Sequence, residues 1–465
     1  MIRKDEILER AREWQLRPEV VEKDYVLGWL LAAVAADEEA GSRWVLKGGT
    51  CVKKCFFETY RFSEDLDFTL VPEAGYDEEA IRETLNRLAT RTGEISGIGF
   101  SPEHILLKKR VDKQGRRTYE GRIGYQGPLA VPGWPRILFD LTQHEVVVEE
   151  PVFRAILHPY TDALPPDALV QTYAFEELLA EKTRALMERA RPRDLYDVVY
   201  ISNNAPADMD LRRIRVILVK KCEAKGLVAP TKAALTELVR ASAEIRGDWD
   251  AMLAHQLPQC PTIDSFLTEL SAALSWLDEV VVGHPLPMII ASAKEQILRP
   301  ATPGISGHRT PLEVIRFAGA NRVLVEFDYS GTHRLVEPYS LRRAGTGNVL
   351  LYAWERASGQ IKAFNVDKIF GLRATAQIFT PRYAIELSSS AGMTTSIPLS
   401  TGRARFTAPR RRVARVRTGP TYIFRCPTCG KEFRRSKNDT TLRRHTFASQ
   451  SYQCPSRRGY LVRVT

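Results

Sequence analysis

Residues 44–70 read WVLKGGTCVKKCFFETYRFSEDLDFTL and place a glycine pair, Gly48 and Gly49, ahead of two aspartates, Asp65 and Asp67. The apolar residues around each motif predict two short strands, with a helix TCVKKCFF that begins at the glycine turn. Side chains at positions i and i+2 of a strand project from one face, so the two carboxylates are predicted to lie close together. Like charges so placed repel unless a divalent cation sits between them, and hard oxygen ligands suit Mg²⁺.

A third carboxylate and the glycine turn extend this interpretation. Asp140 lies in the apolar segment RILFDLT and is a candidate to complete a set of ligands for two Mg²⁺ ions, arranged for in-line attack on an α-phosphate. Gly48 and Gly49 allow backbone N–H groups at a helix N-terminus to approach a phosphate closely. The alternative is that Asp65 and Asp67 form a solvated strand edge, which is common for a lone Asp-x-Asp. The stretch therefore predicts a nucleotide site beside a metal site.

The length and composition indicate a globular protein with several domains. The chain has 465 residues, of which 44% are hydrophobic and 26% charged, and this length predicts two to four domains. No apolar run reaches 18 residues, and the N-terminal MIRKDEILERAREW has the pattern of a charged amphipathic helix. We therefore expect a cytoplasmic protein with no membrane partner.

The positive charge is concentrated at the C-terminal end. The net charge is +11, and residues 388–465 hold 17 Lys and Arg residues against two acidic ones. A basic tail on a near-neutral body indicates a polyanionic partner, and nucleic acid is favoured over membrane because no amphipathic apolar face accompanies the charge.

Periodicity and linker composition divide the chain into segments of different class. Strand and helix patterns alternate at first, including a hairpin around Gln114-Gly115, then a mostly helical region follows, and a β-rich region comes after a Pro/Gly-rich hinge. The predicted segments are an α/β lobe at 1–165, a helical lobe at 166–295, a linker at 296–309, a β-rich module at 310–387, a basic linker at 388–420 and a cysteine-bearing module at 421–465.

A second motif lies in the helical lobe, within EELLAEKTRALMERARPRDLYDVVYI at residues 176–201. Lys182 would bring an ammonium group to the carboxylates, where it can hold a triphosphate. Asp194 and Asp197 are three residues apart and share one helical face. Asp194 is near the predicted helix start, so capping is its alternative role. For Asp197 we expect either orientation of Lys182 or contact with the incoming base.

The order LKGGT, RFSEDLDF and a later acidic strand residue resembles the DNA polymerase β-like nucleotidyltransferases, and most closely the abortive-infection toxin family AbiEii/AbiGii. The resemblance covers residues 20 to 280 and extends to the second motif. It implies an α/β nucleotidyltransferase core, catalysis by Asp65, Asp67, Lys182 and Asp194, with Asp197 as a close competitor of Asp194, an NTP substrate and a tRNA acceptor. The residues that the matching motifs offer for nucleotide contact are Lys47, Gly48, Gly49, Thr50, Arg61, Ser63 and Arg193. A surface salt bridge is the alternative for Lys47 and Arg61.

The β-rich module resembles the WYL domain, an SH3-like small barrel, through RLVEPYSL, LLYAW and IKAFNVDKI. The stretch that matches the naming motif reads Leu-Tyr-Ala in this chain. The resemblance implies a sensor of nucleic acid or nucleotide ligands and makes Arg334, Arg342 and Lys362 candidates for binding. Their alternative is a role as solvated strand residues, while Tyr339, Tyr352 and Trp354 are expected in the core.

The last 45 residues contain the pattern Cys426-x2-Cys429-x15-His445-x8-Cys454. Thiolate and imidazole ligands at these spacings predict a structural, tetrahedral Zn²⁺ site, without which so small a module would not fold. The alternative for His445 is a surface histidine, with another fourth ligand. Guanidinium groups around the pattern are candidates for phosphate contacts, at Arg410, Arg411, Arg412, Arg434, Arg435, Arg443 and Arg444. A merely solubilising tail is the alternative.

Three functions remain open from the sequence. The first is a Mg²⁺-dependent nucleotidyltransferase that transfers NMP from an NTP to a hydroxyl on RNA, by resemblance tRNA, as a toxin or antiphage protein that an antitoxin restrains. The second is a non-enzymatic nucleic-acid-binding regulator that keeps the fold as a nucleotide sensor. The third is an enzyme whose acceptor is a protein or small molecule. The complete set of carboxylates favours the first.

Overall fold

The computed structural model describes residues 1–71, 76–111, 117–206, 209–278, 287–289, 295–298, 310–387, 422–429, 431–435, 439–442, 458 and 460–464. The chain forms two compact units, Met1–Ile397 and Pro398–Thr465. Across these ranges, no helix combines the length and the apolar character needed to span a membrane.

A seven-stranded mixed sheet forms the centre of the first lobe. Its strands are β1 Trp44–Lys47, β2 Asp65–Leu70, β3 Gly99–Val111, β4 Arg117–Gln126, β5 Arg136–Thr142, β6 Val152–Ala155 and β7 Leu169–Thr172. Their order is β3-β4-β5-β2-β1-β7-β6, with β2 antiparallel to β1 and parallel to β5. The predicted strands around the two sequence motifs are therefore neighbours in the sheet. β3 and β4 pair antiparallel, as the predicted hairpin requires, and its turn at Gln114-Gly115 lies outside the described residues.

Helices cover one face of this sheet. The helices of the lobe are α1 Lys4–Glu13, α2 Pro18–Ala36, α3 Ala40–Arg43, α4 Gly48–Cys51 and α5 Glu78–Ser96. α2 begins with a proline and is buried over most of its length, because its sequence is apolar on all sides. α5 begins at Asp77, whose carboxylate accepts a hydrogen bond from the Ala80 N–H, and it ends at Gly97, which has a φ of 76°. The functional residues lie on the opposite face of the sheet.

The second lobe is helical, but it begins at Phe175 and not at the predicted residue 166, because β7 at Leu169–Thr172 still belongs to the first sheet. Its helices are α6 Phe175–Arg189, α7 Pro192–Asn203, α8 Leu211–Glu223, α9 Lys232–Ala241, α10 Ala243–Gly247, α11 Trp249–Leu253 and α12 Ile263–Ala273. α6 ends at Ala190, which has a left-handed φ of 45°, and Pro192 then begins α7. The sharp turn between them brings Lys182 and Asp197 together.

The β-rich module packs against the helical lobe within the same compact unit. Its elements are β8 Gln296–Ile297, α13 Thr310–Ala320, β9 Val323–Tyr329, β10 Thr332–Arg343, β11 Val349–Glu355, β12 Gln360–Asn365 and β13 Ile369–Ile378. The strands form one sheet in the order β12-β11-β10-β9-β13, with β8 paired to β10. The Tyr196 hydroxyl donates a 2.6 Å hydrogen bond to Asn321 Oδ1 and ties the module to α7. The SH3-like or WYL barrel stays a prediction.

The second unit contains a three-stranded antiparallel sheet. Its strands are β14 Tyr422–Arg425, β15 Glu432–Arg435 and β16 Tyr460–Val464, in the order β15-β14-β16. Phe424, Cys426 and Leu442 are buried among its described residues. The predicted basic linker at 388–420 lies outside the described residues.

Candidate functional site

The glycine turn and the Asp-x-Asp strand are in direct contact. Gly48 follows β1 with a φ of 74° and begins α4, which continues into a π-helical turn at Val52–Phe56. A Cβ on Gly48 would lie 1.9 Å from Asp67 Oδ2, so only glycine fits there. The Thr50 hydroxyl donates to the Asp65 backbone carbonyl at 2.5 Å. The turn is thereby fixed against both aspartates.

The side chain of Ser63 and the guanidinium of Arg61 surround the second glycine. A Cβ on Gly49 would lie 2.8 Å from Ser63 Oγ and 3.0 Å from Arg61 Nη2. Three of the predicted nucleotide-contacting residues therefore meet at this turn.

The three predicted carboxylates project from the face of the sheet opposite α5. Asp67 in β2 is paired in register with Asp140 in β5, and Asp65 is two residues before Asp67 on the same face. Leu66, between the two aspartates of β2, and Phe68, directly after them, are buried on the helix-covered face. Within the described ranges, no group of three or more Asp, Glu, His or Cys side chains is arranged to hold a metal ion unaided.

The electrostatics of this face reflect crowded negative charge. Burial, and then the charges of Asp67 and Glu64, raise the pKa of Asp65 to about 6. Asp140 is exposed, but neighbouring groups still remove part of the solvent around its carboxyl. This loss of solvent, and then the charge of Asp67, raise the pKa of Asp140 as well. The three carboxylates therefore lie in the same region of negative potential, and a bound cation would reduce the repulsion between them.

Lys47 supplies positive charge at the edge of this acidic face. It is paired in register with Asp67, and its Nζ lies 3.5 Å from Glu145 Oε2. Burial alone would lower the pKa of Lys47, but the charges of Glu145, Glu181, Asp67 and Asp140 outweigh it and raise that pKa. Lys47 therefore stays charged although its relative exposure is only 9%.

Asp197 joins Arg61 and Lys182 in a buried ionic cluster. Its Oδ1 accepts from Arg61 Nε at 2.7 Å, and its Oδ2 accepts from Arg61 Nη2 at 2.9 Å and Lys182 Nζ at 2.8 Å. Burial by itself raises the pKa of Asp197, but the two cations outweigh it and hold that pKa well below its usual range. Asp197 thus orients Lys182, one of its two predicted roles, and also fixes Arg61 beside the glycine turn.

Asp194 takes a different partner from Asp197. Its Oδ1 accepts from Arg189 Nη2 at 2.6 Å and its Oδ2 from Arg189 Nε at 3.1 Å. The N-terminus of α7 has no capping side chain, so the capping alternative for Asp194 is not what the structure shows. The neighbouring Arg193 donates to the Met252 carbonyl at 3.3 Å and lies 3.5 Å from His255 Nε2.

Several residues beside Asp65 were not found from the sequence. Lys23 Nζ lies 2.7 Å from Glu64 Oε2, and His255 Nε2 lies 3.6 Å from Glu64 Oε1. Gln256 accepts a hydrogen bond from Arg61 Nη1 at 3.0 Å. Glu64 directly precedes Asp65 and was within the quoted stretch, but the others come from α2 and from the segment after α11. No spacing rule relates such distant positions.

The candidate residues of the β-rich module are paired with carboxylates of the module itself. Arg334 Nη1 lies 2.5 Å from Glu355 Oε1, Lys362 pairs with the same Glu355, and Arg342 Nη2 lies 3.0 Å from Glu386 Oε2. Tyr339 is fully buried, as expected for a core residue, whereas Tyr352 and Trp354 pack against its cluster and are only partly buried.

Only two of the four predicted zinc ligands can be located. Cys426 is buried after β14, and Cys429 follows it across a turn that the Cys426 N–H closes by donating to the Lys431 carbonyl at 3.0 Å. His445 and Cys454 lie outside the described residues, as do Arg410, Arg411, Arg412, Arg443 and Arg444. Arg434 and Arg435 belong to β15. The zinc site stays a prediction.

Comparison with known proteins bears on the first two lobes. Residues 29–274, more than half of the chain, match the family model of the nucleotidyl transferase AbiEii toxin of type IV toxin–antitoxin systems. Among solved structures, the chain is similar to MenT4, a nucleotidyltransferase toxin from Mycobacterium tuberculosis H37Rv, with 19% identity, a TM-score of 0.41 and coverage of 60% of this chain and 89% of that one. It is also similar to the proteasome accessory factor B/C of Arthrobacter aurescens, with 10% identity, a TM-score of 0.15 and coverage of 79% and 74%. No curated protein matches the chain.

Proposed function

We propose, from the premise that the chain belongs to the AbiEii nucleotidyltransferase toxin family, that it transfers an NMP from an NTP to a hydroxyl group of RNA, and that tRNA is its acceptor. The observation that carries this proposal is the contact between the glycine turn and the carboxylates, in which Asp67 Oδ2 occupies the space that a side chain at Gly48 would need. A phosphate held by the turn would lie beside the acidic face.

The residues present fit a site for Mg²⁺. Asp65, Asp67 and Asp140 offer hard oxygen ligands on one face, and loss of solvent together with the charge of Asp67 raises the pKa of Asp65 and of Asp140. Because the described side chains do not form a closed set of metal ligands, the triphosphate and water would complete the coordination, as is usual for Mg²⁺. Bound there, two such ions would polarise the phosphate and favour ionisation of the acceptor hydroxyl.

The chain's own residues would bind and orient the reactants. Backbone N–H groups of Gly49 and Thr50 would hold the phosphates, with Ser63 and Lys47 at either side. Lys182 would use its protons not engaged with Asp197 to neutralise charge on the phosphates. Asp140, the exposed carboxylate of the three, would accept the proton of the acceptor hydroxyl.

The parts of the chain beyond the first two lobes would bind RNA and contribute to regulation. We propose that Cys426, Cys429, His445 and Cys454 hold a structural Zn²⁺ ion, and that the arginines around them contact phosphates. The WYL-like module would sense nucleotide or nucleic acid. In the cytoplasm the enzyme would act as a toxin in antiphage defence, restrained by an antitoxin.

The experiment is a transfer assay with pure protein, each labelled NTP in turn, Mg²⁺ and bulk tRNA. We expect label on RNA, lost in the Asp67→Ala variant, while salt-sensitive RNA binding persists. Asp328→Ala, which removes an exposed aspartate of β9, is the control and should transfer normally. Label on protein or small molecules would favour a different acceptor, and tight RNA binding without any transfer would favour a regulator. Normal transfer by Asp67→Ala would refute the metal assignment.

A further inference from the structure

The face of the sheet that carries Asp65, Asp67 and Asp140 continues onto the ribbon formed by β3 and β4. β5 pairs with β4, and β4 pairs with the edge strand β3. A single row of charged residues crosses five strands in register, from Lys47 through Asp67, Asp140 and Glu120 to Lys108. Directly opposed residues of neighbouring strands lie on the same face. Lys108 therefore shares the face of the carboxylates.

The two faces of the ribbon are distinguished by what covers them. A Cβ on Gly121 would lie 2.9 Å from Leu85 Cδ1, so the face that carries Gly121 and Tyr119 packs on α5. On the other face, the relative exposure is 46% for Leu106, 60% for the Arg110 side chain and 42% for the Arg122 side chain. This second face is the one that continues from Asp140.

The open face of the ribbon is basic. Residues 99–126 contain seven Lys and Arg residues against three acidic ones. On the open face, Glu120 pairs with both Arg110 and Arg122, so its single negative charge is shared by two guanidinium groups. Lys108, exposed beside them, adds further positive charge. The ribbon thus carries net positive charge up to the edge of the acidic centre.

A stacked aromatic pair stands at the other end of the same face. The rings of His104 and Trp134 are 4.3 Å apart with an interplanar angle of 29°. A Cβ on Gly124 would lie 2.7 Å from His104 Cβ and 3.3 Å from Trp134 Cβ, so the pair sits over Gly124. Gly124 is two residues from Arg122 and shares its face. Both rings are partly exposed.

The order of the strands separates the two reactants. The glycine turn follows β1, on one side of β2, while the ribbon lies on the other side, beyond β5. Neighbouring strands are about 4.8 Å apart, so Lys108 is about 10 Å from Asp140 across the sheet. A nucleotide on the glycine turn would leave the ribbon side free for the acceptor.

We propose that the open face of the β3–β4 ribbon, with Lys108, Arg110, Arg122 and the His104–Trp134 pair, is the surface on which an RNA acceptor strand lies as its hydroxyl reaches Asp140. The inference rests on the proposed function and adds where the acceptor binds. Cations that follow a backbone, combined with aromatic rings on which bases stack, are the combination that single-stranded nucleic acids select.

Two adjacent lysines provide a matched test. Lys108 lies on the open face, whereas Lys109, equally exposed, is paired with Tyr119 on the opposite face. Lys108→Glu and Lys109→Glu make the same change of charge one residue apart. In the full chain with bulk tRNA, Lys108→Glu should raise the acceptor KM by about tenfold and lower the salt slope of RNA binding by about 0.7, while the KM for NTP stays unchanged. Lys109→Glu should behave as the wild type.

The outcomes separate this inference from the proposed function. Equal effects of both variants, or no effect of Lys108→Glu, would overturn the ribbon as the acceptor surface while transfer to RNA by the wild type still stood. If the wild type binds tRNA but transfers nothing, the proposed function fails, and the same two variants compared by equilibrium binding still decide whether RNA lies on the ribbon. Weaker binding by Lys108→Glu alone supports the surface. Transfer to a protein acceptor that Lys108→Glu leaves intact would overturn it.

Discussion

Asp67 Oδ2 lies 1.9 Å from the point where a Cβ on Gly48 would stand. The glycine turn and the acidic strand therefore exclude any side chain between them, and this close approach fixes where a phosphate and the carboxylates can meet. In Gly48→Ala the methyl group would push the Asp67 carboxylate away, and the φ of 74° would add backbone strain. We expect transfer to fall by about 100-fold or more, as displacement of a reacting group by an ångström can cause.

Gly133→Ala is the control for backbone strain alone. Gly133 has a φ of 88°, and a Cβ there would meet nothing within 4 Å. This variant should lose about 1 kcal/mol of unfolding free energy and keep its activity. Equal activity of the two variants in the labelled-NTP assay would show that contact between Gly48 and Asp67 is not needed for transfer.

Substitution of Asp197 should cost stability as well as activity. Asp197→Asn would leave Arg61 and Lys182 buried without a compensating charge, a change that typically costs about 3–5 kcal/mol. Asp194→Asn is the comparison, since its partner Arg189 is half-exposed and can turn to solvent, so about 1 kcal/mol is expected. Urea unfolding measures both.

Activity then separates the two aspartates. If Asp194 is catalytic, as the family resemblance implies, Asp194→Asn should lose transfer while it remains folded at 25 °C. Unfolding free energies that fall equally in both variants would contradict the distinct roles of the two ion pairs.

The extent to which the site could be predicted follows from how far apart its partners lie in the chain. Asp65 and Asp67 were predicted on one face because strand periodicity is local, and Asp140 because an acid within an apolar strand is conspicuous. The pairing of Arg61 with Asp197, 136 positions away, could not be read from spacing. From the sequence, Arg61 was expected to contact a phosphate or to form a surface salt bridge; the structure shows a buried ion pair with Asp197, and the phosphate contact stays a prediction. The open face of the ribbon was also missed, because its meaning depends on which strand β4 pairs with.

Loss of one cysteine should remove a metal ion from the second unit. Among the described residues, Phe424, Cys426 and Leu442 form a buried cluster, and a small cysteine-bearing module of this kind typically depends on its metal to fold. We expect one zinc per chain by native mass spectrometry, and none in Cys429→Ala. Cys260→Ala, which removes a half-buried cysteine of the first unit, should keep the ion. Zinc retained by Cys429→Ala would contradict the predicted ligand set.

The pH dependence of stability should report on Glu313. This residue of α13 lines a small cavity of about 50 Å³ with Trp14, Phe62 and Phe317, and it accepts a hydrogen bond from the Trp14 indole. Burial raises the pKa of Glu313 to about 7, although the Trp14 hydrogen bond and the charge of Arg10 act in the opposite direction.

The sign follows from proton linkage. Because the folded chain binds this proton more tightly than the unfolded one, the contribution is fully present below the unfolded pKa of 4.5 and is lost as pH rises through about 7. Each unit of pKa is worth about 1.4 kcal/mol, so the unfolding free energy of the wild type should fall by about 3 kcal/mol relative to that of Glu313→Gln from pH 4.5 to 8. Glu237→Gln, at an exposed site on α9, should follow the wild type throughout. A Glu313→Gln profile parallel to the wild type in urea unfolding would mean that the carboxylate reaches solvent, and that the contact of α13 with α1 does not depend on its proton.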